Sequence, residues 1–177
     1  MSVLKKARTR SRLRSVHMPM DDPLRAAEEF LHREIPLTRA MGLRVVSHAT
    51  GFAIEAPVAS NRNHLHTAFG GSINSVATLA GYVFLWLRLR AHLPRIVIGH
   101  SAIRFVRPVA EMIRATCIVP GEEQLATFDA ALNAKGKARL TQLVQIDDGG
   151  VLAAEFTGTF VAIVEAPAAR SASESGM

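Results

Sequence analysis

The spacing of apolar residues predicts two main helices in the first half of the chain. Asp22-Pro23 provides an N-cap followed by a residue suited to the first helical turn, and an apolar stripe then continues to about Glu34. A much longer helix is predicted over residues 70–92, where apolar side chains occupy almost every face. Between the two helices we expect a short helical turn, two strands and a polar segment rich in turn formers, at residues 36–41, 43–49, 52–58 and 59–69.

The second half of the chain changes to strand-like patterning that is rich in Val, Ile, Thr and Phe. Five further strands are predicted between Pro, Gly and Asp turns, at residues 96–106, 112–119, 125–133, 138–147 and 151–164. Turns this short favour antiparallel connections. An all-round apolar helix has to be buried, so we predict an α+β fold in which a curved antiparallel sheet of about seven strands wraps around one central helix.

The long helix is not predicted to span a membrane. A span needs about 20 predominantly apolar residues. Only residues 76–87 are solidly apolar here, and the preceding turns contain Ser and Asn. We therefore interpret the helix as the core of a single domain.

Length, charge and cysteine content narrow the class of protein. The 177 residues are 49% hydrophobic and 20% charged, which is the composition of one globular domain. The net charge of +6 comes from six Lys and Arg residues within residues 1–20, because the rest of the chain has 15 basic and 15 acidic residues. We therefore expect no nucleic-acid partner, and we expect a disordered basic tail over 1–20, a folded domain over 21–165 and a disordered tail over 166–177.

Cys117 is the only cysteine, which excludes a disulfide framework and any multi-cysteine metal site. A single cysteine fits a reducing compartment, and we expect a cytoplasmic location. His64 and His66 alternate within a loop without a metal-binding motif around them, so no metal site is predicted.

A pair of glycines, Gly70-Gly71, stands at the start of the long helix, after the polar sequence N-R-N-H-L-H-T-A-F. The first N–H groups of a helix lack intrahelical partners and lie at the positive end of its dipole. A carbonyl placed against them is polarised, and glycine lets it approach closely. The same glycines also suit a tight turn with close helix–sheet packing, and the residues alone leave both interpretations open.

Three segments resemble a known family: residues 61–73, the following L-A-G-Y-V-F-L-W-L, and I-R-F-V-R-P-V at 103–109. Over about residues 30–164 the chain is similar to hotdog-fold thioesterases, and in particular to the YiiD-type C-terminal thioesterase domain. The resemblance implies a hotdog fold and acyl thioesters of coenzyme A or acyl carrier protein as substrates, with no separate cofactor. It also implies a homodimer or a dimer of dimers, in which paired subunits form one continuous sheet and the active sites lie at the interface.

The chain departs from the H-G-G pattern of the related phenylacetyl-CoA type, in which an Asp or Glu follows the second glycine by seven residues. Phe69 stands at the histidine position and Thr78 at the acid position. Thr78 cannot act as a carboxylate base. The identity of the catalytic group is therefore left undetermined by the resemblance.

Polar groups near the glycines supply candidates for that role. We predict Asn63, His64 and the Gly71 amide as catalytic groups, with His64 as general base because imidazole titrates near neutral pH. Asn63 would order a water or donate to a carbonyl, although both side chains also suit a purely structural loop role. The predicted substrate-binding residues are Thr67, Phe69, Gly70, Ser72, Ser75, Thr78, Ser101 and Arg104.

The periodicity of helices and strands indicates which of these residues share a face. Gly71, Ser75 and Thr78 share one helical face, which suits either an acyl pocket or packing against a partner. Strand alternation places Ser101 on the face that looks toward the helix. Arg104 lies on the opposite face, and both Arg104 and Arg107 could bind the phosphates of coenzyme A or remain solvated.

The leading hypothesis is hydrolysis of an acyl thioester by water. A non-catalytic acyl-thioester sensor is the alternative, since the missing helix acid matters for catalysis and not for binding. A hydratase or dehydratase acting on acyl thioesters is the third possibility, although such sites generally pair His with Asp or Glu.

Overall fold

A six-stranded antiparallel sheet and one long helix form the core of the computed structural model, which describes residues 22–92 and 94–164. The predicted tails at 1–20 and 166–177 lie outside the described residues. The helices are α1 (Pro23–Glu34), α2 (Leu37–Ala40), α3 (Val58–Asn61), α4 (Gly70–Leu89) and α5 (Glu122–Lys135), and a 3₁₀ turn follows α4 at Arg90–His92. The strands are β1 (Arg44–His48), β2 (Gly51–Pro57), β3 (Arg95–Phe105), β4 (Met112–Ile118), β5 (Lys137–Asp148) and β6 (Val151–Ile163).

The strands are ordered β1-β2-β4-β5-β6-β3, and every neighbouring pair is antiparallel. The helix α4 lies across the inner face of this sheet and contacts β2, β3, β4, β5 and β6. The α+β fold, the curved sheet and the central helix are therefore as predicted.

The predicted strand at 125–133 is wrong, because this segment forms the helix α5. Leu125, Phe128 and Leu132 recur at helical spacing, and Phe128 and Leu132 are buried. Ala, Glu and Gln, which favour helices, occupy most other positions. Gly136 ends the helix in the left-handed conformation at φ 63°, and its N–H donates to the Leu132 carbonyl. The sheet consequently has six strands in the described chain, not seven.

The helix α4 is the centre of the hydrophobic core. By length and apolar composition alone, α4 could also cross a membrane. Half of its most apolar stretch of 18 residues is, however, buried inside this domain. Gly81 allows a close approach to the sheet, since a Cβ at this position would lie 2.4 Å from the Phe160 ring. From β5, the buried Gln142 donates to the Gly81 carbonyl over 3.1 Å. These contacts identify α4 as a core helix.

The helix α1 covers the second half of α4 on the side away from the sheet. Asp22 caps α1 by accepting a hydrogen bond from the Leu24 N–H at 3.0 Å, as the sequence predicts. Phe30 stacks on Tyr82, with ring centroids 6.3 Å apart, and lies 5.2 Å from the Trp86 ring centroid. Because these contacts involve only the second half of α4, its first turns are left open to solvent.

The strand β3 forms one edge of the sheet and pairs only with β6 among the described strands. A β-bulge between Ile98 and His100 shifts the register, after which Ser101 lies opposite Gly158 and Phe105 opposite Ala154. Gly158 and Ala154 belong to the buried, inner set of β6. Ser101 and Phe105 therefore face the inner side, as strand alternation predicts for Ser101. Both remain exposed, because the inner face of this edge is only partly covered.

Candidate active site

The loop before α4 is held in place by backbone hydrogen bonds on both sides. The Ala68 N–H donates to the Val109 carbonyl at 2.8 Å, and the Phe69 N–H donates to the Asn61 carbonyl at 2.7 Å. Phe69 is in extended conformation, with φ −67° and ψ 132°, and the helix begins at the next residue. The position of the first turn of α4 is therefore fixed by α3 and by the segment that follows β3.

The start of α4 presents free hydrogen-bond donors. The first turn closes with the Ile73 N–H donating to the Phe69 carbonyl at 3.0 Å, and Phe69 provides no side-chain cap. The N–H groups of Gly70, Gly71 and Ser72 consequently have no acceptor within residues 22–92 and 94–164. Three donors at the positive end of a long helix dipole form a site that stabilises negative charge on an oxygen atom.

Two clefts reach this helix start. The first, here called the Ser75 cleft, has a volume of about 350 Å³, and its lining includes Leu37, Met41, Asn61, Phe69, Gly71 and Ser75. The second, here called the Phe105 cleft, has a volume of about 390 Å³, and its lining includes Asn63, Thr67, Gly70, Ile73, Phe105 and Arg107. Gly71 thus faces one cleft and Gly70 the other. The glycines are accessible, and the walls around them are largely apolar.

Asn63 holds the loop together with its carboxamide. Its Oδ1 accepts hydrogen bonds from the Leu65 N–H at 2.8 Å and the Thr67 N–H at 3.3 Å. Its Nδ2 donates to Thr67 Oγ1 at 3.1 Å and to the Ala68 carbonyl at 3.4 Å. The predicted residues Asn63 and Thr67 therefore do meet, at the wall of the Phe105 cleft. Their polar groups bind mainly each other.

The two loop histidines lie at the protein surface. His64 is exposed and has no hydrogen-bond partner in the described chain. His66 is also exposed, adopts φ 61°, and places its Nδ1 3.5 Å from an Arg62 guanidinium nitrogen. Neither imidazole lines the Ser75 cleft or the Phe105 cleft. The structure thus places the predicted base His64 on the loop that leads into the site, with its imidazole free.

The predicted helix residues Ser72 and Ser75 line the Ser75 cleft together with Phe69. Ser75 Oγ donates to the Gly71 carbonyl at 2.9 Å. The Phe69 ring lies against Gly71, since a Cβ at Gly71 would be 2.3 Å from Phe69 Cε1. Thr78 is half-buried one turn further along and lines neither cleft.

The predicted strand residues Ser101 and Arg104 do not reach either cleft. Ser101 precedes Phe105 on β3 and lies outside both clefts. Arg104 forms an ion pair with Glu155 on the outer face of the sheet. The cation that does line the Phe105 cleft is Arg107, whose Nη2 donates to the carbonyls of Asp148 at 3.2 Å and Val151 at 2.9 Å. Arg104 and Arg107 are both candidates from sequence for binding the phosphates of coenzyme A, and of the two only Arg107, in the irregular segment after β3, lines a cleft.

Two titratable groups near the core are unsuited to chemistry at neutral pH. Burial raises the pKa of the Cys117 thiol to about 12, so it stays protonated and is a poor nucleophile. Burial, together with the charge of Glu34, raises the pKa of Tyr82. Neither group lines the Ser75 cleft or the Phe105 cleft, so neither is a candidate for chemistry at the helix start.

A family described as "Putative thioesterase (yiiD_Cterm)" matches residues 24–164, which is most of the chain. The chain belongs to this family. Membership in the YiiD C-terminal family confirms the resemblance noted in the segments around residues 61–73 and 103–109, and it covers the whole folded part described above.

Solved structures agree with this membership. A protein from Shewanella oneidensis, described as a "putative thioesterase", is 29% identical with a TM-score of 0.71, over 81% of this chain and 99% of that one. A protein of unknown function from Chlorobaculum tepidum TLS is 26% identical with a TM-score of 0.74, over 80% and 94% of the two chains. A "probable thioesterase" from Pseudomonas aeruginosa shares the fold at 23% identity and a TM-score of 0.67, over 80% and 95%. The YiiD family member described here has the hotdog fold.

Proposed function

We propose that this protein is a cytoplasmic thioesterase that hydrolyses acyl thioesters of coenzyme A or acyl carrier protein. The observation that carries the proposal is the start of α4, where three N–H donors without partners open on two clefts with apolar walls. Membership in a family described as thioesterases supports the same reaction class. The buried, protonated Cys117 is in keeping with a reducing compartment.

The reaction follows from the charge that develops on the substrate. When water attacks a thioester carbonyl, the oxygen becomes negative in the tetrahedral state, and donors at Gly70 and Gly71 stabilise that charge more than they stabilise the ground state. His64 is the proposed base that removes the proton from the water, since it is an unpaired imidazole on the adjoining loop. Breaking the C–S bond then releases the thiol and the carboxylic acid.

The purified full-length chain tests the proposal directly. Short, medium, long and aromatic acyl-CoAs, and an acyl carrier protein substrate, are incubated with the protein while a thiol-reactive dye reports the released thiol. We expect saturable turnover with at least one acyl class. Absence of turnover across the whole panel would contradict a hydrolase and favour the binding protein considered below.

The role of His64 is open to a specific test. His64→Ala is expected to lower kcat by about 10²–10⁴-fold, because general-base assistance contributes that much to a proton transfer. His48, an exposed histidine at the end of β1, provides the matched control. Equal activity of His64→Ala and His48→Ala would remove His64 from the mechanism.

We also propose that two copies of the chain pair through β3. Val97, Ile98 and Phe105 on this edge are 53%, 39% and 51% exposed, which is unusual for large apolar side chains of a folded domain. An exposed strand edge offers unpaired backbone groups to another strand. Pairing of β3 with its counterpart would extend the sheet and bring the partner subunit's helix toward the Phe105 cleft.

Ile98→Glu is expected to convert the dimer to a monomer, because it places a charge on the apolar inner face of β3. Leu143→Glu is the matched control, since Leu143 is 53% exposed on the outer face of β5, away from this edge. Size-exclusion chromatography with light scattering measures the mass of each variant. A monomeric wild type, or a dimer that survives Ile98→Glu, would contradict pairing through β3.

One observation favours a second function, a non-catalytic acyl-thioester sensor. Thr78 stands where related enzymes have a carboxylate, and the residues lining the two clefts in the described chain include neither a carboxylate nor a histidine. Binding needs no base. A thermal shift with acyl-CoA in the absence of any thiol release would establish the sensor. The same lack of a carboxylate–histidine pair argues against the hydratase.

A further inference from the structure

Asn61, the last residue of α3, is a buried polar side chain near the helix start, and two hydrogen bonds fix its carboxamide. It is 4% exposed, and its Nδ2 donates to the carbonyls of Met41 and Pro57, both at 2.8 Å. Its own carbonyl accepts from the Phe69 N–H. Both protons of the carboxamide nitrogen are thus occupied, so the orientation of the side chain is determined and Oδ1 is an obligate acceptor.

The Oδ1 atom of Asn61 has no hydrogen-bond donor within the described residues. Three other side-chain atoms without a partner are sealed from solvent: Arg107 Nε, Thr116 Oγ1 and Gln142 Oε1. Asn61 Oδ1 differs from them because it is not sealed. Asn61 lines the Ser75 cleft. Its oxygen therefore opens into the same cleft as Gly71 and Ser72. An acceptor without a protein partner at the wall of the cleft favours a ligand that donates a hydrogen bond at this point.

We infer that Asn61 is a catalytic residue that orients the hydrolytic water. This inference rests on the proposed thioesterase function. One O–H of the water donates to Asn61 Oδ1, which directs an oxygen lone pair toward a carbonyl carbon held at the start of α4 by the Gly70 and Gly71 N–H groups. The new C–O bond forms as the carbonyl electrons move to oxygen, and the C–S bond then breaks with its electron pair going to sulfur. A neutral carboxamide cannot take the proton, which passes through the base to the departing thiolate.

Water is the occupant that the surroundings favour. The remaining wall of the Ser75 cleft near Asn61 is largely apolar, with Leu37, Met41 and Phe69, and it suits an acyl chain. An acyl chain offers no donor, whereas water supplies one while keeping a lone pair free for attack. Asn61 thus provides an acceptor, and the helix start provides donors, at the wall of the same cleft.

Hydroxylamine separates water orientation from substrate binding. It is nucleophilic enough to attack a polarised thioester without a fixed orientation, and its product, a hydroxamate, is measured beside the free acid. Asn61→Ala is expected to lower acid formation about 10²-fold, as misplacement of a reacting group does, while hydroxamate formation and KM change less than about threefold. Asn61→Ser, which keeps a donor for one of the two carbonyls, provides a second variant in case Asn61→Ala folds poorly.

Thr38→Val is the structural control. Thr38 is a buried residue of α2, and its Oγ1 donates to the Ile35 carbonyl at 2.8 Å. It does not line the Ser75 cleft. This variant should lower the melting temperature and leave the ratio of acid to hydroxamate unchanged. A parallel loss of both products in the Asn61 variants, or full hydrolysis without the carboxamide, would overturn the inference while the thioesterase function stands. A wild-type protein that cleaves no thioester would overturn both.

Discussion

Replacing Gly70 by proline is expected to lower kcat by about 10²–10³-fold, since that is the usual effect of removing one oxyanion donor. Proline lacks the N–H group, and it is tolerated at the first position of a helix because that N–H makes no intrahelical bond. Phe69 already has the extended conformation that the residue before proline requires. The donor is therefore removed while α4 is retained, and steady-state kinetics with the best acyl-CoA measures the loss.

Gly70→Ala is the matched control for this prediction. It adds a Cβ, which would lie 3.4 Å from Phe105 Cζ in ordinary contact, and it keeps the N–H. We expect less than about a tenfold change in kcat, as for a side chain that only narrows a cleft. If Gly70→Ala and Gly70→Pro lose the same activity while their circular dichroism remains native, steric crowding explains the effect and the Gly70 amide is not the oxyanion donor.

Phe160→Ala is expected to have the largest effect on stability, lowering the free energy of unfolding by about 3–5 kcal/mol. Phe160 is 1% exposed, and its ring fills the space between β6 and α4 at Gly81. Removing the ring leaves a cavity that the sheet and helix cannot close without moving. Urea denaturation at a fixed protein concentration measures the change.

The same contact makes Gly81→Ala informative. Alanine favours a helix by about 1 kcal/mol over glycine, but its Cβ would overlap the Phe160 ring, and overpacking costs about 1–3 kcal/mol. In the Phe160→Ala background the overlap is gone, so Gly81→Ala should become neutral or stabilising. Gly121→Ala, where a Cβ has nothing within 4 Å, is the control. Additive effects of Gly81→Ala and Phe160→Ala would show that the two residues are not coupled.

The regular elements of the fold are largely determined by local patterns. The bounds of α1 and the start of α4 are as predicted, because Asp22-Pro23 and the apolar run after Gly70 are strong local signals. The helix α5 was predicted as a strand because it lies within a series of strands and contains Thr and Phe. The spacing of Leu125, Phe128 and Leu132, together with Gly136, is the signal that identifies it as a helix.

The site was predictable only where it depends on the backbone. The glycines at the helix start follow from sequence, whereas the partners of Asn61 and Asn63 depend on how α3 and the loop fold back. Two asparagines separated by one residue look alike in sequence. In the structure the carboxamide oxygen of Asn63 is occupied by its own loop, and that of Asn61 is open to a cleft. Arg104 and Arg107 are likewise equivalent candidates in sequence, and only Arg107 lines a cleft, since it follows the strand instead of belonging to it.

The β-bulge at Gly99 determines which side chains face the helix along the rest of β3. Because one extra residue is inserted there, odd-numbered positions after it point inward, whereas even-numbered Ile96 and Ile98 point inward before it. Without the bulge, regular alternation from Ile98 through Gly99 would turn Arg104 toward the helix in place of Phe105. The apolar wall beside Gly70 therefore depends on a bulge several positions away, and a change that straightened this stretch while keeping Gly99 would rewrite the cleft without changing any residue that lines it.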